Sequence, residues 1–406
     1  MTRRLFTNGF VFDGTGSAPA EGEVLVEGGR IVEVGSGLDG DEVIDLDGMT
    51  LLPGLFDTHV HVTVGSIDVW ATMHEPFSMQ FYVAARNLRA TLDAGITSVR
   101  DAGGADLGIK EAVERGLIPG PRMQISLIML SQTGGHGDGW LASGADAEFF
   151  VEHPGRPSGI VDGPGEMRRK VRELLRAGAD VIKVATSGGV LSPRDDPSHA
   201  HFAFDELEVL VAEAAAAGKW VMAHAQATDG IKNAIRAGIR SIEHGIYLDD
   251  EAIEMMLAHG TFLVPTLVAP TGVLRAAEAG APIPEVILEK ARGVVEVHRD
   301  SFRRAVAAGV KVAMGTDSGV TPHGENLLEL ELMARGGMAP ADVLTSTTRV
   351  AAELMGVDSD RGSIEAGKVA DLVVVEGDVF DFSGFGDRIR AVYQSGSLVS
   401  GGLRHG

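Results

Sequence analysis

The sequence predicts an α/β protein, a (β/α)8 TIM barrel with a small β-sandwich domain that both chain ends build together. From residue 51 onward, eight apolar strand-like runs alternate with amphipathic helical segments. Repeated β-then-α units form a parallel sheet, and eight such units favour closure into a barrel. Residues 1–50 and the segment from Gly362 onward instead contain short strands joined by tight turns. We therefore predict that residues 1–52 and 362–406 form the side domain and that residues 53–361 form the barrel.

The barrel strands are predicted from apolar runs, and the helices from apolar residues at helical spacing. The predicted barrel strands are 51–62, 98–101, 123–128, 181–186, 220–225, 241–245, 262–266 and 310–317. The predicted helices are 82–94, 165–177, 205–217, 229–237, 249–258 and 288–308, and a further helix at 339–355 follows the last strand. In the side domain we expect strands at 5–12, 23–27, 30–34, 42–46, 369–375 and 389–395. Five helices end in Ala-Gly, as at 94–95, because glycine supplies the left-handed cap that returns the chain to the sheet.

The composition excludes several classes of partner. The chain has 406 residues, and its net charge of -22 argues against nucleic acid or an anionic membrane surface. No apolar run reaches the roughly 18 to 20 residues of a membrane span, and polar breaks at Asn8 and Asp13 argue against a signal peptide. We therefore expect a soluble, cytoplasmic protein that acts on small molecules. Because cysteine is absent, a metal site must use histidine, carboxylate or a less usual ligand.

The first predicted barrel strand ends in two histidines, His59 and His61. Side chains in a strand alternate between faces, so this spacing aims both imidazoles to the same side, where they could share a metal ion. The spacing by itself more often reflects two polar residues that merely face inward. Residues at the other strand ends decide between these interpretations.

Polar and charged residues stand at four further strand ends. Lys183 interrupts an apolar run in the fourth strand, and Asp317 ends the eighth. His224 and His244 end the fifth and sixth strands. The carboxyl ends of barrel strands surround one mouth, where the active sites of this fold lie. We therefore predict that these residues converge with His59 and His61 on one site.

These residues lie in motifs that resemble those of the amidohydrolase superfamily. The matching motifs are residues 53–61, 243–245 (Glu-His-Gly), 315–317 (Gly-Thr-Asp) and 362–373, together with Lys183 and His224. The resemblance covers nearly the whole chain, including both ends. Within the superfamily the chain is most similar to the prolidase-like, imidazolonepropionase-related metal dipeptidases, and residues 134–137, 187–193 and 323–326 carry that likeness.

The resemblance implies a binuclear metal centre. His59, His61 and Asp317 would hold one divalent cation. His224 and His244 would hold the second. Lys183, carbamylated by carbon dioxide, would bridge the pair through its two carbamate oxygens. Imidazole and oxygen ligands suit zinc, the expected ion, and would also accept manganese, iron or nickel.

The resemblance also implies the reaction, which is hydrolysis of an amide bond in a dipeptide (Xaa-Pro or related) or in an N-acyl amino acid. A hydroxide bridging the two ions would attack the carbonyl carbon. Asp317 would carry the proton to the leaving amine, and His136 would stabilise the oxyanion. The same site could instead hydrolyse aryl amides, carbamates, ureas or cyclic amides, because loops set specificity on this scaffold.

Two other functions are weighed against hydrolysis. A mononuclear deaminase is disfavoured, because Ala227 stands where such relatives carry a glutamate and because they lack the bridging lysine. The second alternative is a barrel that has lost its metals and become a structural or binding module. Such a module would not need the six metal ligands, and their presence argues against it. The resemblance further suggests a homo-oligomer.

Four more residues are expected to contact the substrate. Arg194 could bind a substrate carboxylate, since a planar guanidinium matches a carboxylate with two hydrogen bonds. Gln226, one alternation beyond His224, could face the pocket or bond only to backbone. His323 and Asn326 follow the eighth strand, where they could line the pocket or cap a helix.

Overall fold

The structure is a computed structural model, and it describes residues 2–147, 150–192 and 194–403. Its strands are β1 Arg4–Val11, β2 Ala20–Glu27, β3 Arg30–Gly35, β4 Glu42–Asp45, β5 Thr50–Pro53, β6 Leu55–Val60, β7 Ile96–Asp101, β8 Arg122–Ile125, β9 Met129–Leu130, β10 Ile182–Ala185, β11 Val221–Ala225, β12 Ser241–His244, β13 Phe262–Val264, β14 Leu372–Val375, β15 Ile389–Gln394 and β16 Ser397–Gly401. Its helices are α1 Val69–Met73, α2 Met79–Asp93, α3 Leu107–Glu114, α4 Gly163–Arg176, α5 Phe204–Ala216, α6 Thr228–Ala237, α7 Asp250–His259, α8 Val268–Glu278, α9 Glu285–Ala308, α10 Leu328–Arg335, α11 Pro340–Ser346 and α12 Arg349–Met355. In the described part of the chain, no helix combines the length and apolar character that crossing a membrane requires.

Strands from both chain ends form one eight-stranded sheet, called the end sheet below. Its strand order is β16-β15-β14-β5-β1-β2-β3, and β4 also pairs with β1. β5 joins the two ends, since it runs parallel to β1 and antiparallel to β14. Phe6 in β1 and Tyr393 in β15 belong to the buried apolar cluster of this sheet, and their rings meet edge to face with centroids 5.0 Å apart. The prediction that both termini build one β-rich side domain is confirmed.

The apolar run 51–62, predicted as one strand, is in fact two strands that belong to different sheets. β5 lies in the end sheet and β6 in the barrel. Gly54 separates them at a point where a Cβ atom would come within 2.2 Å of Thr97 Oγ1. The sequence shows no break because both strands are fully buried and therefore lack alternating polar residues.

The barrel strands form two parallel sheets, β6-β7-β8 and β9-β10-β11-β12-β13. The eighth predicted strand, 310–317, makes only isolated bridges to β13 and β6. Its backbone nevertheless bonds to both neighbours. Leu263 N donates to Lys311 O at 2.8 Å, and Thr58 N donates to Met314 O at 2.9 Å. This segment therefore lies between β13 and β6 as the eighth element of the predicted barrel.

Two other predicted elements are interrupted. The strand predicted at 123–128 ends early: β8 stops at Ile125, and β9 begins only at Met129, after Leu127, which has a φ of 70° and whose carbonyl accepts a hydrogen bond from Gly104 N at 2.9 Å. The helix predicted at 339–355 is divided into α11 and α12. Thr347, in the break, donates its hydroxyl to Phe56 O at 2.7 Å. Both interruptions depend on tertiary contacts, which the spacing of apolar residues does not report.

The helices pack around the barrel with one apolar face inward and end as the sequence predicts. Leu88, Leu174, Leu210 and Ile235, one from each of α2, α4, α5 and α6, are fully buried. The glycines that follow α2, α4, α5, α6 and α9 have φ between 68° and 99°, the left-handed conformation expected of a helix cap. This packing fixes the carboxyl ends of the strands, on which the candidate site is built.

Candidate active site

The described residues enclose a cavity of about 370 Å3 at the carboxyl ends of the barrel strands. The residues proposed from the sequence as metal ligands or catalytic groups all line it: His59, His61, His136, Lys183, His224, His244 and Asp317. They come from β6, β10, β11, β12, the eighth strand segment and the loop after β9. The fold thus brings distant parts of the chain to one mouth.

His59 is buried in β6, and a carboxylate sets its orientation. Its Nδ1 lies 2.7 Å from Oε2 of Glu243 in β12, so Nδ1 donates to the carboxylate and Nε2 faces the cavity. The other oxygen of Glu243 accepts a hydrogen bond from Arg100 at 2.9 Å. Burial, together with the nearby charge of Lys183, lowers the pKa of His59 well below its usual value. The ring is therefore neutral, which is the form that binds a metal.

His61 and Asp317 face each other directly. His61 Nδ1 lies 2.8 Å from the carbonyl oxygen of Gly103, to which it donates, and its Nε2 lies 3.1 Å from Oδ1 of Asp317. His59 Nε2 lies 3.5 Å from the same oxygen. Burial favours a higher pKa for Asp317, but the hydrogen bond from His61 and the surrounding positive charges outweigh it and hold the pKa well below its usual range. Asp317 is therefore an ionised carboxylate.

His224 and His244 are each oriented by one hydrogen bond, which His224 makes through Nε2 and His244 through Nδ1. His224 Nε2 lies 3.0 Å from the carbonyl oxygen of Gly188, which leaves Nδ1 for a ligand. His244 Nδ1 lies 2.7 Å from Oγ1 of Thr266, which leaves Nε2. The two ring centroids are 4.6 Å apart. Burial lowers the pKa of both rings well below the usual value, so both are neutral.

Lys183 lies in β10 with 1% of its surface exposed. Its Nζ atom is buried and has no hydrogen-bond partner among the described residues. Burial lowers the pKa of Lys183 to about 8, although Glu243 and Asp317 act to raise it. A buried ammonium without a partner is costly, whereas a neutral amine can react with carbon dioxide. The surroundings of Lys183 therefore fit a carbamate better than a free ammonium.

The donor set fits a divalent metal ion. Ligand atoms of His59, His244 and Asp317 lie within 4.8 Å of one another, close enough to hold one ion. Imidazole nitrogens and carboxylate oxygens are the ligands that zinc and related ions take in catalytic sites. His244 and Asp317 also have positive φ values of 71° and 62°. Such strained backbone is often found where side chains are aimed at a functional site.

His136 lies in the loop between β9 and α4 and stacks on a metal-ligand candidate. Its ring centroid is 4.2 Å from that of His224, with 19° between the ring planes. Its Nδ1 lies 2.8 Å from Ser192 Oγ and 3.1 Å from Asp195 Oδ2. This geometry leaves Nε2 as the ring atom that remains for a substrate.

Arg194 and Gln226, expected to contact substrate, both line the cavity. The guanidinium of Arg194 lies 5.0 Å from the centre of the Trp140 ring, over its face. Gln226 is buried, and its Oε1 has no hydrogen-bond partner among the described residues. Both side chains therefore retain hydrogen-bonding capacity that a substrate could use.

His323 and Asn326, also expected to contact substrate, lie away from the described lining of the cavity. His323 Nδ1 lies 2.9 Å from Thr91 Oγ1, and its Nε2 lies 3.2 Å from the carbonyl oxygen of His61. Asn326 is fully buried and donates to Asp57 Oδ2 at 2.8 Å. Both side chains support the framework around β6, and substrate contact is now expected of neither.

The remaining walls of the cavity are mostly apolar. They include Ile67, Trp70, Trp140, Phe150, Val190, Leu191, Ile246, Val273, Ile283, Ile287 and Val320. A cavity with a polar base and apolar walls suits an uncharged, bulky group next to a reacting polar bond.

Several residues that orient the site escaped the sequence reasoning. Glu243 and Ser192 were recognised only as parts of motifs, and Asp195 and Thr266 were not singled out. Glu243 and Thr266 stand next to strand ends, and this position is the one signal that could have identified them. Asp195 lies in a loop whose conformation no periodicity reports.

Comparison with known proteins agrees with this site. Residues 50–399 match the amidohydrolase family. An ochratoxinase of Aspergillus niger is 35% identical over 341 residues, which cover 80% of this chain and 70% of the relative. A solved Xaa-Pro dipeptidase with methionine bound in its active site is 33% identical, with a TM-score of 0.90 over 98% of this chain and 100% of that chain. A solved prolidase complexed with N-methylphosphonate-L-proline is 35% identical, with a TM-score of 0.87 over 98% and 99%.

The family match extends from β5 to β16, so it includes the whole barrel and much of the end sheet. The two solved structures align with 98% of this chain, a share too large to leave out the side domain. The fold, the converging histidines and the sequence identity lead to the same conclusion. The chain is a hydrolase and belongs to the amidohydrolase family.

Proposed function

We propose that the protein is a binuclear metal-dependent hydrolase that cleaves the amide bond of a dipeptide, Xaa-Pro or related, or of an N-acyl amino acid. One observation carries this proposal: the buried Lys183 Nζ has no partner among the described residues, yet it lines a cavity with the candidate histidines and Asp317. The similarity to a Xaa-Pro dipeptidase and to a prolidase supports a peptide-like amide as the bond that is cleaved.

The proposed metal centre uses six residues. His59, His61 and Asp317 would hold one ion. His224 and His244 would hold the other, and a carbamate on Lys183 would bridge them. Zinc is the ion that this donor set favours. When bound, two such ions polarise a carbonyl oxygen and lower the pKa of a water molecule to about 7.

Two side chains would then move or hold charge during the reaction. Asp317, an ionised carboxylate, would accept the proton of the attacking water and deliver it to the nitrogen of the leaving amine. His136 would use Nε2 to stabilise the negative charge that develops on the substrate oxygen. The proton lost by water thereby becomes the proton gained by the amine, and the products are a carboxylic acid and a free amine.

Substrate would be held at both ends. Arg194, at the rim of the cavity, would bind the carboxylate on the amine side of the scissile bond. Gln226 Oε1, which has no hydrogen-bond partner among the described residues, would accept a hydrogen bond from a substrate N–H group. The apolar walls would surround the acyl side, so hydrophobic acyl groups should be preferred over charged ones.

We also expect the enzyme to be a homo-oligomer. Trp70 in α1, Phe77 after α1 and Tyr82 in α2 expose 58%, 50% and 71% of their surfaces. Exposed large apolar side chains can mark an interface when they form one patch. Light scattering coupled to gel filtration would test this, and a stable monomer at micromolar concentration would contradict it.

The substrate class can be tested with a panel of amides. Xaa-Pro and hydrophobic dipeptides and N-acyl amino acids should be hydrolysed, whereas aryl carbamates, ureas and cyclic amides should react slowly. Metal analysis of the active enzyme should give close to two divalent ions per chain. If no compound with a free carboxylate on its amine side were hydrolysed, the proposed substrate class would be wrong. If the metal-free protein were fully active, the proposed mechanism would be wrong.

A further inference from the structure

The loop between β10 and α5 contains a buried carboxylate that the proposed mechanism does not use. Asp195 has 2% of its side chain exposed. Its Oδ2 lies 3.1 Å from His136 Nδ1 and accepts a hydrogen bond from Gly189 N at 2.9 Å. Its Oδ1 accepts from Ser192 Oγ and, at 3.3 Å, from Lys290 Nζ. Because an ionised carboxylate only accepts hydrogen bonds, this contact fixes a proton on His136 Nδ1.

Lys290 holds the carboxylate and its loop from a different element. It lies in α9, and its Nζ donates to the carbonyl oxygens of Gly189 at 3.2 Å and Ser192 at 2.7 Å. The same Nζ also bonds to the backbone carbonyl of Asp195. One ammonium group therefore holds the loop backbone at three residues, the last of which is Asp195 itself. The position of Asp195 is thus set by the helix scaffold as well as by its own loop.

His136 fits closely between this loop and the metal-ligand candidates. On one side its ring stacks on His224. On the other side, a Cβ atom at position 189 would lie only 2.1 Å from His136 Cε1, so the approach of the ring requires glycine. The ring can therefore rotate or shift little while the loop keeps its conformation.

We infer that Asp195 is a positioning residue that, supported by Lys290, holds the Nε2 of His136 toward the reacting bond. The inference rests on the proposed amide hydrolysis, in which His136 contacts the substrate oxygen. A buried carboxylate bound to the Nδ1–H of a catalytic imidazole fixes both its tautomer and its orientation. Loss of that carboxylate should therefore slow the chemical step with little effect on substrate binding.

A double-mutant cycle on the zinc-loaded enzyme tests this, using an amide that the wild type hydrolyses. We expect Asp195→Asn to lower kcat about 10- to 100-fold, with KM and metal content close to those of the wild type. We expect His136→Gln to lower kcat about 100- to 1000-fold, and the double variant to be no slower than His136→Gln alone. Asp196→Asn is the matched control, since this exposed carboxylate bonds to Ser198 and should leave kcat unchanged.

An equal loss from Asp195→Asn in both backgrounds, no loss at all, or loss of metal would overturn the inference. If His136→Gln is too slow to measure, a crystal structure of the Asp195→Asn variant decides. A rotated or displaced His136 ring supports the inference, and an unchanged ring overturns it. If the wild type hydrolyses no amide, the proposed function fails, and the ring position in the crystal still tests the inference separately.

Discussion

The Oε2 atom of Glu243 lies 2.7 Å from the Nδ1 of His59, and both side chains are at most 1% exposed. The second carboxylate oxygen of Glu243 lies 2.9 Å from Arg100, whose side chain is 3% exposed. Glu243 therefore orients a candidate metal ligand and at the same time balances a buried guanidinium. A hydrogen-bonded carboxylate of this kind raises the basicity of a ligating imidazole and fixes its tautomer.

Glu243→Gln should weaken metal binding about 10- to 100-fold, because a neutral amide cannot replace the carboxylate beside His59 Nδ1. Competition with a chelator measures the affinity. Glu251→Gln is the control, since Glu251 lies on the surface with 60% of its side chain exposed. Equal metal affinity in Glu243→Gln and wild type would argue against a role in orienting His59.

Lys183→Ala should remove the bridging group and reduce the metal content well below two ions per chain. Short carboxylic acids should restore part of the metal binding and activity, because they supply the two oxygens that the carbamate would provide. Lys311→Ala, which removes a lysine with 52% of its side chain exposed, should bind metal like the wild type. If Lys183→Ala retained both ions, the proposed bridge would be wrong.

Gly189→Ala should lower kcat, because the added methyl group would lie 2.1 Å from His136 Cε1 and must displace that ring or the loop. Steady-state kinetics and metal analysis would show a slower enzyme that still holds its ions. Gly293→Ala is the matched control. Apart from the nearby backbone of its own helix, no atom of the described residues lies within 4 Å of its added methyl group, and alanine is favoured inside α9. Similar kcat values for the two variants would show that His136 tolerates displacement.

Arg194→Lys should raise KM about tenfold or more for substrates with a free carboxylate, because lysine cannot form the two parallel hydrogen bonds of a guanidinium. Amidated analogues without that carboxylate should show the same KM with both enzymes. Arg292→Lys, at an exposed ion pair with Glu285, is the control. A parallel rise in KM for both substrate types would assign Arg194 to the loop structure instead.

Burial lowers the pKa of His323 to about 4 from its ordinary value of 6.5. Between these pH values the unfolded chain binds a proton that the folded protein does not, so stability falls as the pH falls through this window. When the pH falls from 6.5 to 4, the free energy of unfolding should therefore drop by about 3 kcal/mol less in His323→Gln than in the wild type. Urea unfolding of the metal-free proteins measures the difference. Parallel pH profiles for the two proteins would contradict this prediction.

The architecture could be predicted where local sequence and tertiary contacts agree. α6, for example, begins at Thr228 and ends at Ala237, within one residue of the predicted helix 229–237. Prediction failed where a buried run hides a change of sheet, as at Gly54, or where one residue interrupts an element, as at Leu127 and Thr347. In each case the break satisfies a contact with a part of the chain that is distant in sequence.

The residues of the candidate site also fall into those that the sequence could predict and those that it could not. His59, Lys183 and Asp317 were found because parallel strands bring their carboxyl ends to one mouth, so position in a strand predicts proximity. For Asn326 the sequence left the contact open, because a polar residue after a strand can face either the cavity or a buried side chain, and in the structure it donates to Asp57. Asp195 was missed because its contact with His136 joins two loops, and the path of its own loop depends on contacts with Lys290 and not on any repeat in the sequence.

The pairing of β5 with β14 has a consequence for how the protein is made. Pro53 pairs with Leu372, so the whole barrel is synthesised between these two neighbours. Until the last strands leave the ribosome, the growing chain presents β5 as an open sheet edge, and such edges readily pair with other chains. One edge of β5 therefore stays unpaired until β14 is made, and loss of β14 should make the chain prone to aggregation.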